Sequence, residues 1–477
     1  MDISSSPPVG NVRSALTPAS LKQLRSEVVG SVVLPGRRRY AMVKRGFEES
    51  VVHRPALVVV AGDPHDLAAA VRYAGRHGLG VAIQATGHGA CVPADEGGIL
   101  VNTSRLRRVR VHAGTRTAHV DAGARWSDVI DAAAPWGLVP LSGSAPDVGA
   151  ISYLLGGGLG LLSRSFGSAG DHVHSFSVVT ADGQTQVASR RDLPGLFWGL
   201  RGSRGNLGAV TSAEIDLFPV DDFFGGGLFF DGSHARAFLN AYAQWTSGVP
   251  DAMSTSVCLR RIRRSSPWVA AALRGRFVVH LRVAYPGAAS DARGLLAPLR
   301  DAAPLLHDTT APMPYRFSGR IHADPTEPMA TVSRSMLLSE LAPEAIDAIE
   351  RLAGADAEAP FVLELRHMGG ALARRPPCAS ALGHHPDAAF NLFTVARVTL
   401  DADVERLKSR QDELIEALLP WSARGVLPNF VAGPHSGERL RGAYSTAAYE
   451  TLRALKAEYD PTNMFRYNPN IAPKAQL

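Results

Sequence analysis

The sequence predicts an α+β protein, and its pattern of strands, glycines and alternating runs supports that class. Residues 57–89 read as strand, helix, strand and loop, and glycine clusters at 87–89 and 156–160 adjoin predicted strands or turns. Beyond Pro219, long alternating runs are separated by Ala/Arg/Leu-rich helical segments, which is the pattern of an antiparallel sheet carrying helices on one face. The 477 residues suffice for two or three domains.

The first strand, helix and second strand carry the clearest local signals. Leu57 to Val60 is a β-rich run, and the next helix has Asp63 as N-cap, Pro64 at its first position and Gly78 as C-cap. The buried face of this helix is predicted to carry Leu67, Val71 and Ala74. The strand "GVAIQA" then delivers the chain to the loop "TGHG".

Further strands are predicted at "AHVDAGA" and "FSVVTADG", with a helix at "RWSDVIDAAAPWGL" between them. We place a first α+β domain at residues 20–219, after a flexible Ser/Pro-rich terminus at 1–19, with structure beginning near Leu21. The runs "GRFVVHLRVAYPG" and "FNLFTVARVTL" alternate with helices at "DARGLLAPLRDAAP" and "APEAIDAIERLAG", which predicts a second domain at 220–438.

The last predicted helix, "STAAYETLRALKAEY", ends at Asp460-Pro461 within a C-terminal segment placed at 439–477. One side of this helix carries Tyr449, Leu452, Leu455 and Tyr459.

The charge, cysteine content and hydropathy of the chain argue against nucleic-acid and membrane partners. The formal net charge is +6 with a pI near 9.4, but the arginines are scattered and no nucleic-acid reader motif occurs, so we expect no nucleic-acid partner. The three cysteines, Cys91, Cys258 and Cys378, are odd in number and far apart, which favours a reducing compartment. Without an apolar leader or a run of about 18 apolar residues, we expect a cytoplasmic protein with no membrane partner. Oligomeric state stays open.

Two glycine loops in one domain suggest a bound dinucleotide, because backbone amides without side chains can approach a pyrophosphate closely. Neither loop has the GxGxxG spacing, so a structural turn is the alternative interpretation of each. His88, between Gly87 and Gly89, is equally ambiguous by itself: a loop histidine can hold a ligand or make ordinary hydrogen bonds.

Several ordered segments carry a resemblance to a known family. Residues 55–98, the run "SGSAPDVGAISYLLGGGLGLLSRSFGSAGDHVHSFSVVTADG" and the run "LFWGLRGSRGNLGAVTSAEIDLFP" resemble the FAD domain of the vanillyl-alcohol-oxidase/para-cresol-methylhydroxylase (PCMH) superfamily. Two later segments, residues 363–396 and "YDPTNMFRYNPNI", make the berberine-bridge-enzyme (BBE)-like oxidases the closer match. The resemblance implies a two-subdomain FAD-binding domain of PCMH type, a substrate domain with an antiparallel sheet covered by helices, and return of the C-terminal segment to the FAD-binding domain.

The resemblance also implies a covalent cofactor. His88 matches the histidine that the family joins to the 8α-methyl of FAD, and Val148 matches a gate position where valine accompanies reaction with oxygen. A second attachment, through a cysteine in relatives, is excluded because Ala145 stands there, and Cys91 is expected to be an ordinary thiol. Pro469 replaces the family's usual glutamine. The other cofactor-binding positions implied are Ala85, Thr86, Gly87, Gly89, Gly149, Gly156, Gly157, Gly158, Gly160, Asn206, Gly208, Val210, Asn468 and Asn470.

The catalytic base departs from the family pattern. Where many relatives keep a Tyr-x-Asn-Tyr motif, this chain reads "LPNF" at 427–430, and the glutamate of some alkaloid oxidases is replaced by the Ala373-Arg374 region. Candidate replacements are Tyr153, His367 and Glu364. Strand alternation puts Glu364 and His367 on opposite faces, so only one of them can face the site. The pair His384-His385 lacks carboxylate or cysteine partners, so we expect no metal.

The resulting hypothesis is an FAD-linked oxidase that passes hydride from a small secondary-metabolite-like substrate to the flavin and then to oxygen (O2), giving hydrogen peroxide. Because the phenolic base is missing, an amine, a heterocycle or an already activated metabolite is favoured over a simple sugar. Two alternatives stay open: a flavin-bearing metabolite-binding, resistance or quinone-reactive protein, and a non-redox cyclase with a structural flavin.

Overall fold

The computed structural model describes residues 12–265, 269–357, 359–433 and 436–475. The described residues form a four-stranded, a five-stranded and a two-stranded sheet in the N-terminal half and an eight-stranded antiparallel sheet in the C-terminal half. Each is built mainly from chain segments that are contiguous in sequence. The architecture is the α+β arrangement that the sequence predicts.

The first sheet has the order β1-β2-β4-β3, with β1 antiparallel to β2 and the β2-β4 and β4-β3 pairs parallel. The parallel strands are mostly apolar and largely buried, because helices and the neighbouring sheet cover most of their length. The strands are β1 (Ser31–Val33), β2 (Leu57–Val60), β3 (Gly80–Gln84) and β4 (Gly98–Asn102). The helices of this region are α1 (Val12–Ala15), α2 (Pro18–Glu27), α3 (Arg38–Val43) and α4 (His65–His77).

Helix α4 confirms the local signals. It ends at Gly78, whose left-handed φ of +66° is the conformation of a glycine C-cap, and it buries Leu67, Val71 and Ala74 against the sheet. The helix begins at His65 with Pro64 at the N-cap, one residue later than the sequence placed it.

Structure begins earlier than the predicted start near Leu21. Thr17 caps α2 by accepting a hydrogen bond from the Ser20 amide, and Ala15 is fully buried beneath the Tyr73 hydroxyl, which donates to the Ala15 carbonyl. The Ser/Pro-rich composition hid this start because Thr-Pro reads as a turn and is equally suited to opening a helix. Of the predicted flexible terminus, residues 1–11 lie outside the described residues, and residues 12–19 are largely helical.

The second sheet is antiparallel throughout, with the order β5-β6-β10-β8-β9. Its strands are β5 (Val109–His112), β6 (Thr117–Asp121), β8 (Val173–Val179), β9 (Thr185–Ser189) and β10 (Ala209–Asp216), while β7 (Leu138–Val139) pairs with β11 (Phe218–Pro219). The helices are α5 (Trp126–Ala133), α6 (Ala150–Leu155), α7 (Ser163–Phe166) and α8 (Pro194–Leu200). Trp126 and Phe176 are fully buried in the core that this sheet shares with α5 and α6.

The third sheet has the order β15-β12-β14-β13-β18-β19-β17, with β16 paired to β12. Its strands are β12 (Phe224–Asp231), β13 (Ser254–Arg261), β14 (Phe277–Tyr285), β15 (Leu305–Asp308), β16 (Ala311–Pro312), β17 (Thr331–Leu338), β18 (Val362–His367) and β19 (Phe390–Arg397). Its helices are α9 (Ala235–Thr246), α10 (Ala289–Arg300), α11 (Gly319–His322), α12 (Pro343–Ala353) and α13 (Val404–Ala417).

One face of this third sheet is apolar and packs against α9, α10, α12 and α13. Val257, Leu281 and Leu365 belong to that face and are fully buried. Because side chains alternate along a strand, the residues between them point to the opposite face, which turns toward the N-terminal half of the chain.

The chain then returns to its first half through α14 (Ser436–Arg441) and α15 (Thr446–Tyr459). Leu452 is buried in the core of the second sheet, Phe465 joins the core around α4, and the Val81 amide donates to the Met464 carbonyl. The C-terminal segment therefore packs on both sheets of the N-terminal half. The domain boundaries placed from the sequence stay predictions.

Candidate active site

The loop after β3 holds His88 in a fixed position. The His88 Nδ1 lies 2.8 Å from the Thr86 hydroxyl, and its ring stacks on Phe47 with centroids 3.9 Å apart and planes 12° from parallel. Burial lowers the pKa of His88 to about 4. The imidazole is therefore neutral at pH 7, and the described residues place no hydrogen-bond partner on its Nε2.

The backbone around His88 is closely packed. The Phe47 amide donates to the Thr86 carbonyl at 2.9 Å, and the Gly149 amide approaches the Thr86 hydroxyl at 3.3 Å. Gly87 has a φ of +76°, and a Cβ there would lie 2.5 Å from the Gly46 Cα. Only glycine is accommodated at that position without displacing the backbone. These contacts bring the His88 loop and Gly149 together, and their contact with a cofactor stays a prediction.

At the second glycine cluster, other atoms of the protein occupy the space that a side chain would need. A Cβ on Gly156 would lie 1.7 Å from the Asn429 amide oxygen, and one on Gly158 would lie 2.4 Å from the Tyr153 ring. Gly157 and Gly160 meet Leu382 and the Ser142 carbonyl in the same way. Close packing therefore explains why glycines stand here, and their contact with a cofactor stays a prediction.

The C-terminal segment offers polar groups that the protein does not satisfy. Asn206 ties this segment in place: its side chain donates to the Pro469 carbonyl at 3.2 Å and accepts from the Ile471 amide at 2.8 Å. In contrast, the amide oxygens of Asn468 and Asn470 are buried without a partner among the described residues. Buried acceptors of this kind fit a ligand that donates hydrogen bonds.

The nearby strand β10 carries the remaining two predicted cofactor positions. A Cβ on Gly208 would lie 2.6 Å from the Val178 side chain, and Val210 pairs with Val178 in the sheet. Both residues therefore contribute to the packing of β10 against β8, and their contact with FAD stays a prediction.

Tyr153 is buried behind the cluster of glycines. Its ring meets Trp126 edge-on with centroids 5.4 Å apart, and its hydroxyl has no hydrogen-bond partner among the described residues. Burial raises the pKa of Tyr153 well above its ordinary value. The phenol therefore keeps its proton and can donate a hydrogen bond to a ligand, but it is poorly suited to take up a proton.

The other two candidates lie on opposite faces of β18, as alternation requires. The His367 Nε2 lies 3.0 Å from Arg164 Nη1, and burial lowers the pKa of this histidine to about 3. Its ring packs beside Phe390 rather than with Glu364. His367 is thus a neutral imidazole held by Arg164, and it makes no pair with Glu364.

The polar face of the third sheet is a buried cluster of charge. The Glu364 carboxylate lies 2.8 Å from Arg282, 3.1 Å from Arg366 and 3.5 Å from the His322 ring. Burial by itself would raise the pKa of Glu364, but Arg366 and Arg282 hold it well below the usual range. The full set on or against this face is Ser256, Cys258, Arg260, His280, Arg282, His322, Glu364 and Arg366.

Ser144 connects this cluster to the loop that carries Ala145 and Val148. It donates to the Asp324 carboxylate at 2.7 Å and lies 3.4 Å from an Arg366 nitrogen, directly before Ala145 in the chain. Asp324 also acts electrostatically on His88, opposing the effect of burial on the histidine pKa. A cleft lined by Leu159, Gly160, Arg282, His322 and Arg366 runs between the second glycine cluster and the polar face of the third sheet. Ala145 follows Ser144 directly, and its carbonyl accepts from the Val148 amide at 3.2 Å.

A cavity of about 300 Å³ adjoins this cleft. It is lined by Gly156 to Leu159, the "LPNF" segment and the His384-His385 pair. His384 makes a 3.0 Å contact with the Ala373 carbonyl, and the described residues contain no group of three or more potential ligands able to hold a metal. In the part of the chain that is described, no helix has both the length and the apolarity needed to cross a membrane.

Sequence reasoning missed Phe47, Arg282 and Asp324. His280 and Arg282 did leave a signal, since they interrupt "FVVHLRVAY" at a spacing of two and so must share a face of that strand. Phe47 and Asp324 left no signal in the sequence, because each reaches the site from a loop that is distant along the chain.

Comparisons with known proteins agree with this geometry. The family model described as "FAD binding domain" matches residues 55–189, and the one described as "Berberine and berberine like" matches residues 431–472. The (R)-6-hydroxynicotine oxidase of Paenarthrobacter nicotinovorans is 25% identical over 94% of this chain and 97% of its own. The chitooligosaccharide oxidase of Gibberella zeae is 24% identical over 88% of both chains.

The structure of berberine bridge enzyme from Eschscholzia californica superposes with a TM-score of 0.82 at 17% identity, covering 96% of this chain and 99% of that one. The family model and the named relatives show an FAD-linked oxidoreductase. The chain thus carries the FAD-binding domain and the berberine-like domain of these family models, and its resemblance to the berberine-bridge-enzyme-like FAD-linked oxidases is confirmed.

Proposed function

We propose that this protein is an oxidase whose FAD is joined through the 8α carbon to His88, and that it oxidises a small secondary-metabolite-like molecule. The substrate gives up two electrons and two protons, and oxygen takes them up as hydrogen peroxide. The observation that supports this proposal is the neutral His88 ring, oriented on both sides by Thr86 and Phe47. When bound, FAD supplies the hydride acceptor.

The residues present fit such a group. Thr86 can accept the hydrogen of Nδ1, which leaves the lone pair on Nε2, the nitrogen without a protein partner. His88 would hold FAD through Nε2: the bond to the 8α carbon would replace one hydrogen of the imidazole and one of the methyl group, and oxygen would take up both as hydrogen peroxide. The unsatisfied amide oxygens of Asn468 and Asn470 and the unpaired Tyr153 hydroxyl are further polar groups that FAD could satisfy.

On the substrate side, Glu364 holds Arg282 and Arg366 in place rather than taking up a proton, because its carboxylate is paired with both. With the phenols of relatives replaced by "LPNF", the site favours an amine, a heterocycle or an already activated metabolite. The substrates in the names of the relatives, a hydroxynicotine and a chitooligosaccharide, differ enough to leave the individual molecule open.

The test is acid precipitation of the purified protein together with its intact mass. The parent should keep the yellow chromophore in the pellet and carry the mass of one FAD, and His88→Ala should lose both. His65→Ala is the matched control, because the His65 side chain is 91% exposed at the start of α4. A parent that releases all of its flavin in acid would contradict the covalent attachment.

Substrate oxidation is tested separately, by anaerobic bleaching of the flavin and peroxide formed on readmission of air. Tight binding of a metabolite without bleaching would instead support a sequestering protein. Conversion without peroxide would support a cyclase.

A further inference from the structure

Arg204 connects two parts of the site that are distant in sequence. Its guanidinium donates to the Gly89 carbonyl at 2.9 Å, to the Pro428 carbonyl at 3.0 Å and to the Val431 carbonyl at 2.6 Å. Gly89 directly follows His88, and Pro428 belongs to the "LPNF" segment that lines the cavity of about 300 Å³. One side chain therefore bridges the loop that carries His88 and a wall of the cavity.

The cavity wall at the far end of this bridge is itself fixed. The Asn429 side chain donates to the Tyr153 carbonyl of α6 at 3.0 Å, and the Phe430 carbonyl accepts from the Ser335 hydroxyl of β17 at 3.1 Å. The wall is thus anchored to both halves of the chain. The hydrogen bonds of Arg204 therefore set the position of the loop after β3 relative to a fixed point.

The backbone of Arg204 shows that the side chain has a specific purpose. Its φ of +53° lies in the left-handed region, which residues other than glycine seldom adopt. A glycine would make this turn without strain. The turn by itself favours glycine, so the contacts of the side chain, rather than the backbone conformation, account for an arginine at this position.

The other contacts of the His88 loop do less to connect it to the cavity wall. Thr86 and Phe47 orient the ring of His88 itself. The Cys91 thiol reaches the Gly89 carbonyl at 3.3 Å and the Val431 carbonyl at 3.7 Å, but a thiol is a weak donor. Within the described part of the chain, the guanidinium therefore makes the stronger part of the bridge.

We propose that Arg204 is a positioning residue for covalent attachment of the cofactor, because it holds His88 where Nε2 can bond to the 8α carbon of FAD. The inference rests on the proposed function. In the attachment, the Nε2–C8α bond would replace one hydrogen of the imidazole and one of the methyl group, and oxygen would take up both as hydrogen peroxide. Arg204 exchanges no atom or electron and acts only on the placement of Nε2.

The experiment follows attachment in the full-length protein, expressed under flavin limitation and then given FAD at increasing concentrations. Acid-stable flavin is measured against time, so that saturation with FAD separates the noncovalent affinity from the rate of attachment. Arg204→Gly suits the backbone but removes the bridge, and it should slow attachment at saturating FAD by about tenfold or more, with little change in affinity. Arg204→Lys keeps the charge without the fork of donors and should slow attachment about threefold or more.

Arg424→Gly is the matched control. Arg424 also has a left-handed φ, +56°, but its side chain is exposed, so this change should leave the rate of attachment as in the parent. The melting temperature of each variant reports its folding. If Arg204→Gly is insoluble, Arg204→Lys carries the test.

Unchanged attachment in the Arg204 variants at saturating FAD would overturn the inference. Weaker noncovalent affinity with an unchanged saturating rate would also overturn it, because Arg204 would then bind the cofactor rather than position His88. An equal loss of rate in Arg424→Gly would do the same. A parent that attaches no FAD would overturn the proposed function as well, whereas a parent that attaches FAD no faster than its Arg204 variants overturns this inference alone.

Discussion

Lys456 anchors the C-terminal segment to the FAD-binding half, and replacing it tests how that segment is held. Its ammonium is fully buried and donates to Asp460 Oδ2 at 2.6 Å, the Asn206 carbonyl at 2.8 Å and the Phe465 carbonyl at 3.0 Å. Lys456→Met keeps the length of the side chain but removes all three hydrogen bonds. It also leaves the Asp460 carboxylate buried without its counter-ion.

The expected loss can be worked from these contacts. Breaking a buried ion pair on one side costs about 3–5 kcal/mol, because the remaining charge is uncompensated. Asp460 keeps two backbone donors, the amides of Met464 and Phe465 at 2.7 and 2.8 Å, which continue to solvate the carboxylate. We therefore expect a loss near the lower end, about 3 kcal/mol in the free energy of unfolding.

The assay is urea denaturation followed by tryptophan fluorescence, with Lys474→Met, an exposed lysine of the same segment, as control. The double variant Lys456→Met/Asp460→Asn should recover part of the loss, since the unpaired charge is then removed. A change below about 1 kcal/mol in Lys456→Met would refute the reasoning that the pair is a buried, desolvated anchor, because that is the range of an exposed pair.

The remaining predictions concern two histidines. Thr86→Val removes the hydroxyl that fixes Nδ1 of His88. The acid-stable fraction of FAD should then fall several-fold, while total bound FAD, measured before precipitation, falls less. An unchanged ratio of acid-stable to total FAD would show that Thr86 does not orient the ring. The pKa of His367 is near its ordinary value in the unfolded chain and about 3 in the folded protein. The neutral ring therefore stabilises the folded protein fully above the unfolded pKa, and this stability is lost as the pH falls below that value. Between pH 7 and 5 this loss is roughly 2 kcal/mol, which His367→Asn should abolish and His65→Asn should leave intact in urea titrations at each pH.

The local signals of the sequence predicted the secondary structure well because they act over a few residues. Gly78 ends α4 and the alternating run around Leu281 forms β14, as expected from a C-cap and a period of two. Lys456 shows the limit of this reasoning. It lies on an otherwise apolar side of α15, and its burial depends on acceptors contributed by Asn206 and Phe465.

The candidate site likewise contains residues that the sequence predicts and residues that it does not. The glycines and His88 were recognisable because their motif is continuous in sequence. The partners that set their chemistry were not: Phe47 stacks on His88 from 41 positions away, and Arg282 reaches Glu364 across 82. Such pairings are fixed by sheet register and loop packing, and one sequence without its structure does not specify them.

These pairings also restrict where the proton of the substrate can go. Glu364 is held as an anion by two arginines and binds a proton poorly, and Tyr153 already carries its proton. His367 has its Nε2 beside Arg164. A substrate that had to lose a hydroxyl proton as hydride departs would find no poised base among these three. An amine or heterocycle that enters with its lone pair free needs no base, because that lone pair itself stabilises the cation left by hydride loss.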